Sequence, residues 1–154
     1  MKTIADQLKT HPFFQAFNAS TIEQLGGCGR HIQFKPDEQI AKTETPADAF
    51  YIVQSGHVAI EIMHPSRGPM MLQTLGSDDI LGWSWLFPPY QWTYDIRAIE
   101  ATRAIKMDGA CLRGKCEADP AMGYELMKNF ASVITNRLHS TRLRLLDLYE
   151  EVPA

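Results

Sequence analysis

Residues 49–60 read AFYIVQSGHVAI, two short β-like runs split by Ser55-Gly56. Phe, Tyr, Ile and Val suit a pleated, half-buried surface, and Ser-Gly between two apolar runs is turn chemistry, so the stretch reads as strand, tight turn, strand. The same texture extends outward. HIQF (31–34) and EQIAK (38–42) precede it, while HVAIEIM (57–63), MMLQTL (70–75), YDIRAI (94–99) and TRAIKM (102–107) continue it. Turn residues separate the runs at Lys35-Pro36-Asp37, Thr45-Pro46-Ala47-Asp48, Pro65-Ser66-Arg67-Gly68 and Gly76-Ser77-Asp78-Asp79. Many short strands at such spacing predict a sandwich or barrel.

The flanks change period. Ile4 to Leu8 reads as helix, and a second helix begins after Ser20, where Ser20 and Glu23 have the spacing of a capping box and Gly26-Gly27 forms the stop. Beyond Met107, Asp108 is placed to cap a short helix ending near Ala118. Asp119-Pro120 then has the cap-then-proline order, and no further breaker appears before Pro153. Roughly thirty residues of helix would be about 45 Å long, more than a domain of this size can bury against itself. Met127, Phe130, Ile134, Leu138, Leu145 and Leu148 follow three-and-four spacing, with Thr141 in the one gap, and predict a coiled-coil seam and a homodimer. Lys128, Arg137, Arg142 and Arg144 fall on the other faces and read as a solvated surface.

Between the last strands lies GWSWLFPPYQW (82–92), which holds all three tryptophans. Pro88 and Pro89 break it too thoroughly for a helix interior or a central strand. Large rings on an irregular loop fill a pocket or form a contact surface.

Composition narrows the class. A chain of 154 residues, 45% hydrophobic, makes one domain with a real core. It divides into residues 1–118, carrying the first helices, the barrel and the short helix, and residues 119–150, the dimerisation helix. The formal net charge of -3 lacks the basic balance of general nucleic-acid binding. No apolar run approaches the roughly 20 residues that span a bilayer. Cys28, Cys111 and Cys116 contain no CxxC pair, and Cys111 and Cys116 fall on different helix faces, so a reduced, cytoplasmic setting is expected. The five histidines are scattered, and neither a nucleophile elbow nor a P-loop is present. No metal, no resident cofactor and no enzyme activity are expected.

AFYIVQSGHVAI resembles the strand-turn-strand signature of CRP/FNR-type cyclic-nucleotide-binding effector domains, with Gly56 at the turn. LGSDDILGW (75–83) resembles the turn leading into that family's phosphate-binding cassette, with Gly82 at the cassette glycine. The resemblance spans residues 11–149 and implies a mainly β fold with flanking helices: a double-stranded β-helix, or jelly-roll, barrel followed by a long dimer helix. It also implies where a ligand would sit. The glutamate that meets the ribose in cyclic-nucleotide binders is replaced by Trp83, ahead of Ser84 and Trp85, and the arginine that neutralises the cyclic phosphate by Trp92, ahead of Thr93. Thr141 falls where the dimer helix offers a hydroxyl to the base, and Arg142 follows it. Arg97 and Arg103 lie in strand-like runs and are expected to point to solvent.

The resemblance thus implies a stand-alone sensor module that does not hold cyclic AMP in the usual way and signals to a protein partner. A dimeric scaffold with its pocket plugged by Trp83 or Trp85 is the alternative, as is the effector half of a truncated transcription regulator. The chain ends at Ala154, five residues after Tyr149, so no recognition helix fits and direct DNA binding is not expected.

Overall fold

The computed structural model describes residues 2–150. Helix α1 (Ile4–Lys9), a 3₁₀ turn at Pro12–Phe14 and α2 (Ala19–Gly26) lead into eight strands. These are β1 (Gly29–Phe34), β2 (Gln39–Ala41), β3 (Ala49–Ser55), β4 (Val58–His64), β5 (Gly68–Leu75), β6 (Ile80–Leu81), β7 (Asp95–Ala98) and β8 (Thr102–Asp108). A second 3₁₀ turn, Ser84–Leu86, separates β6 from β7, and α3 (Gly109–Ala118) and α4 (Pro120–Glu150) end the chain.

Two four-stranded antiparallel sheets, ordered β1-β8-β3-β6 and β2-β7-β4-β5, form the jelly roll. The opening stretch is where the chain changes sheets: β3 belongs to the first, β4 to the second. Gly56 makes the change with a φ of +94°, and a Cβ there would lie 2.6 Å from the Ala101 carbonyl oxygen. Only glycine fits.

Strand β3 is buried over most of its length because both faces of its sheet are covered. Its side chains alternate accordingly. Phe50 and Ile52 enter a core shared with the helices, while Ala49, Tyr51 and Val53 enter the barrel interior. In the helical core, Leu8, Phe14 and Leu25 meet Leu112 of α3 and Leu126 and Phe130 of α4.

The cap of α2 is Asn18, whose Oδ1 accepts from the Thr21 N–H at 2.8 Å; Ser20 lies already inside the first turn. A capping box does form, but at α1, between Thr3 and Asp6. Asp108 and Asp119 accept from the N–H groups of Cys111 and Met122, closing the first turns of α3 and α4. The two-residue β6 was too short to read as a strand.

The cysteines are not all free: Cys28 and Cys111, 83 residues apart, form a disulfide, leaving Cys116 as the free thiol. Spacing could not reveal this pair. Tertiary pairing joins them, since the Asp108 N–H donates to the Cys28 carbonyl and lays the start of β1 beside the first turn of α3.

Phe130 is not a seam residue but a core residue. It is 1% exposed and meets Phe13, Phe50 and Trp85 edge-on at ring separations of 4.9, 5.0 and 5.5 Å. The apolar stripe of the first half of α4 is therefore used by its own chain, whereas Met127, Leu138, Leu145 and Leu148 remain exposed. Among the described residues no helix is long and apolar enough to cross a membrane.

Candidate ligand site between the barrel and helix α4

The segment after β6 sends its three indoles to three different places. Gly82 has a φ of +97°, and a Cβ on it would stand 2.6 Å from the Trp92 ring. Without that atom, Trp92 lies over the glycine and stacks on Tyr51 inside the barrel, 6.5 Å between ring centres. The 3₁₀ turn then throws Trp85 inward, where it is fully buried and stacked on Phe50 at 5.7 Å. Its indole N–H has no partner among the described residues. Farther on, the Pro88-Pro89 peptide is cis, and Tyr90 sits beneath the Arg113 guanidinium at 4.6 Å. Arg113 also donates to the Trp85 carbonyl, so the loop is tied to α3.

Of the three indoles, Trp83 is the one that reaches the space beside α4. It forms part of the wall of a cavity of ≈ 330 Å³ between β4–β5 and α4. Ile60, Leu72 and Gln73 come from the sheet, and Thr93 and Tyr94 from the segment ahead of β7. From α4 come Ile134, Arg137, Leu138, Thr141 and Arg144, which recur at helical spacing and so share one face. No indole fills this cavity, and Trp85 occupies the helical core instead.

Arg137 is the main electrostatic feature. Its guanidinium lies 5.7 Å from the Trp83 ring centre and donates to the Ile80 carbonyl of β6. Its Nη1 is buried without a partner. Burial pulls its pKa below the ordinary guanidinium value, and the nearby Tyr94 and Asp79 only partly oppose this. Burial likewise pushes the Tyr94 phenol up, against the field of Arg137. The Thr141 hydroxyl donates to the Arg137 carbonyl at 2.9 Å, so its proton serves the helix backbone.

Of the residues singled out from the sequence, Trp83, Thr93 and Thr141 share the cavity, with Ile134 and Leu138 from the supposed seam. Ser84 and Trp85 do not line it, Trp85 being part of the helical core, and Gly82 acts through Trp92 rather than by lining it. Arg142 is exposed and outside the wall, which Arg137 and Arg144 reach instead. Arg97 pairs with Asp37 at 2.9 Å and Glu61 at 3.1 Å, and Arg103 is exposed. Arg137, read from the sequence as a solvated helix residue, is the cation the reading missed. Its spacing of four and seven residues from Thr141 and Arg144 was the available signal.

The sequence profile of the cyclic nucleotide-binding domain family matches residues 31–119. No curated protein matches the chain. Among solved structures, a putative cyclic nucleotide-binding protein from Geobacter metallireducens is 26% identical, with a TM-score of 0.79 over 90% of this chain and 100% of that one. A cyclic nucleotide-binding domain from Methylobacillus flagellatus shares 16% identity and a TM-score of 0.80 over 99% of this chain and 84% of that one. The catabolite activator protein of Thermus thermophilus shares 19% identity and a TM-score of 0.70, over 90% of this chain and 63% of its own. With the profile across most of the barrel, the jelly roll beneath it and a long helix after it, the chain belongs to the cyclic nucleotide-binding domain family.

Proposed function

We propose that this regulatory module senses a small ligand in the cavity between Trp83 and α4, does not hold a cyclic nucleotide in the family's usual manner, and signals through α4 to a second copy and a partner protein. One observation carries the reading: the same cavity is walled by the 83–94 segment on one side and by α4 on the other, with Arg137 bonded across the junction to β6. Any occupant touches both barrel and helix. A ligand that binds one arrangement of that junction better than another shifts α4, and the shift equals the difference in binding free energy.

The positions aligned with the ribose-binding glutamate and the phosphate-binding arginine are Trp83 and Trp92, and Trp92 is packed inside the barrel. No strand arginine lines the cavity. A buried cyclic phosphate needs a cation or several converging donors, and this part of the barrel offers an indole. The cytoplasm is the compartment we propose, with the Cys28–Cys111 pair then exposed to a reducing poise.

Two measurements test the reading. Millimolar cyclic AMP and cyclic GMP leave the melting temperature and tryptophan fluorescence unchanged; a rise of several degrees with either would restore the usual ligand. Trp83→Ala, which removes the surface under Arg137, changes the self-association constant roughly fivefold or more in sedimentation equilibrium. An unchanged constant removes the coupling between cavity and helix.

A further inference from the structure

We propose that the cavity takes an amphipathic organic anion, with a carboxylate head on Arg137 and an apolar body against Trp83, Ile60 and Leu72. The inference rests on the reading of this cavity as the ligand site and adds the chemistry of its occupant.

Arg137 carries a charge that Tyr94 and Asp79 offset only in part. Arg137 takes part in none of the ion pairs among the described residues, and its Nη1 has no acceptor. A largely buried cation with no carboxylate bonded to it is costly to the fold, and an arriving anion with two oxygens relieves that cost while matching the planar fork of the guanidinium. The sign of the surroundings gives the direction of approach. A second cavity, ≈ 350 Å³, borders Arg137 on its other side, but Asp78 and Asp79 line it and repel an anion. On the Trp83 side Arg137 is joined by Arg144, and no carboxylate lines the wall, in a chain of net charge -3.

The rest of that wall sets the body of the ligand. Ile60, Leu72, Ile134 and Leu138 are aliphatic, and Trp83 adds an aromatic face. Inorganic phosphate would leave these surfaces wet, and a neutral hydrocarbon would leave the guanidinium unpaired. Ligand cavities run from about 300 to 1,000 Å³, so ≈ 330 Å³ fits one small ring system or a medium alkyl chain.

Calorimetry with decanoate, 1-decanol and cyclic AMP tests the proposal. Decanoate binds, and 1-decanol binds roughly tenfold or more weakly, the worth of a charge-assisted hydrogen bond. Arg137→Gln removes that preference. Because Arg137 also ties α4 to Ile80, the exposed Arg144→Gln serves as a second variant and weakens decanoate several-fold in a fold of unchanged melting temperature. Leu72→Trp, which narrows the cavity, abolishes both ligands. Equal binding of decanoate and decanol, or decanoate binding unaltered in both arginine variants, overturns the assignment. Cyclic AMP binding where decanoate does not also overturns it, while leaving a sensor of the usual kind. Decanoate binding that leaves self-association unchanged sinks the sensor reading and leaves the anion assignment standing.

Discussion

Gly82 and Phe130 show how single positions divide the work of the fold. The missing Cβ of Gly82 lets Trp92 close the barrel, which in turn leaves Trp83 as the indole beside the cavity. Phe130 closes the other core, and its heptad position made it look like an interface residue. The two roles make different predictions. Phe130→Ala removes a fully buried ring and costs about 3–5 kcal/mol, a drop of roughly 10 °C in melting temperature that does not depend on protein concentration. A loss that vanished at high concentration would return Phe130 to the seam. At this scale the sequence was legible where a residue type is demanded by backbone, as at Gly56 and Gly82, and family position brought Thr93 and Thr141 to the cavity wall, although the Thr141 hydroxyl is bonded to the Arg137 carbonyl. It was illegible at Arg137, because whether a long cationic side chain snorkels outward or folds under a neighbour depends on the neighbour, here Trp83.

Among the elements, the strands with clear alternation or turn punctuation were legible in advance, since β3 and β8 face two cores and carry apolar residues for both. Helix α4 was legible in length but not in allegiance: Met122, Leu126 and Phe130 pack on its own chain, while Leu145 and Leu148 do not. The Cys28–Cys111 bridge is an element-scale feature too, because it ties the end of the N-terminal helices to α3 across 83 residues. Closing so long a loop restricts the unfolded chain, and such a bridge typically contributes about 2–4 kcal/mol. The double variant Cys28→Ser, Cys111→Ser therefore unfolds at lower urea, and a dithiol reductant lowers the wild-type midpoint to match. A midpoint insensitive to both treatments would show that β1 and α3 are held together by packing alone.

At the scale of the whole molecule, many of the exposed apolar residues gather in two places: the β4–β5 hairpin, with Ile62, Met63, Met70 and Met71, and the end of α4. Leu138, Leu143, Leu145, Leu146 and Leu148 crowd the last turns of α4, all between 48% and 59% exposed. Helical propensity alone holds such a segment only marginally in water, so most of its stability must come from a surface it packs against. The three-and-four spacing of Leu138, Leu145 and Leu148 is self-complementary, as a two-fold pairing of identical helices requires. Leu138 also walls the cavity, so a charge there would confuse pairing with ligand binding. Leu145 and Leu148 stand clear of it. Leu145→Arg with Leu148→Arg therefore converts a dimer to a monomer in sedimentation equilibrium, loses helical circular dichroism from the end of α4, and leaves decanoate affinity within a few-fold of wild type. A species of unchanged mass would mean that a different surface pairs the two copies, and an unpaired wild type would leave these leucines to a different protein.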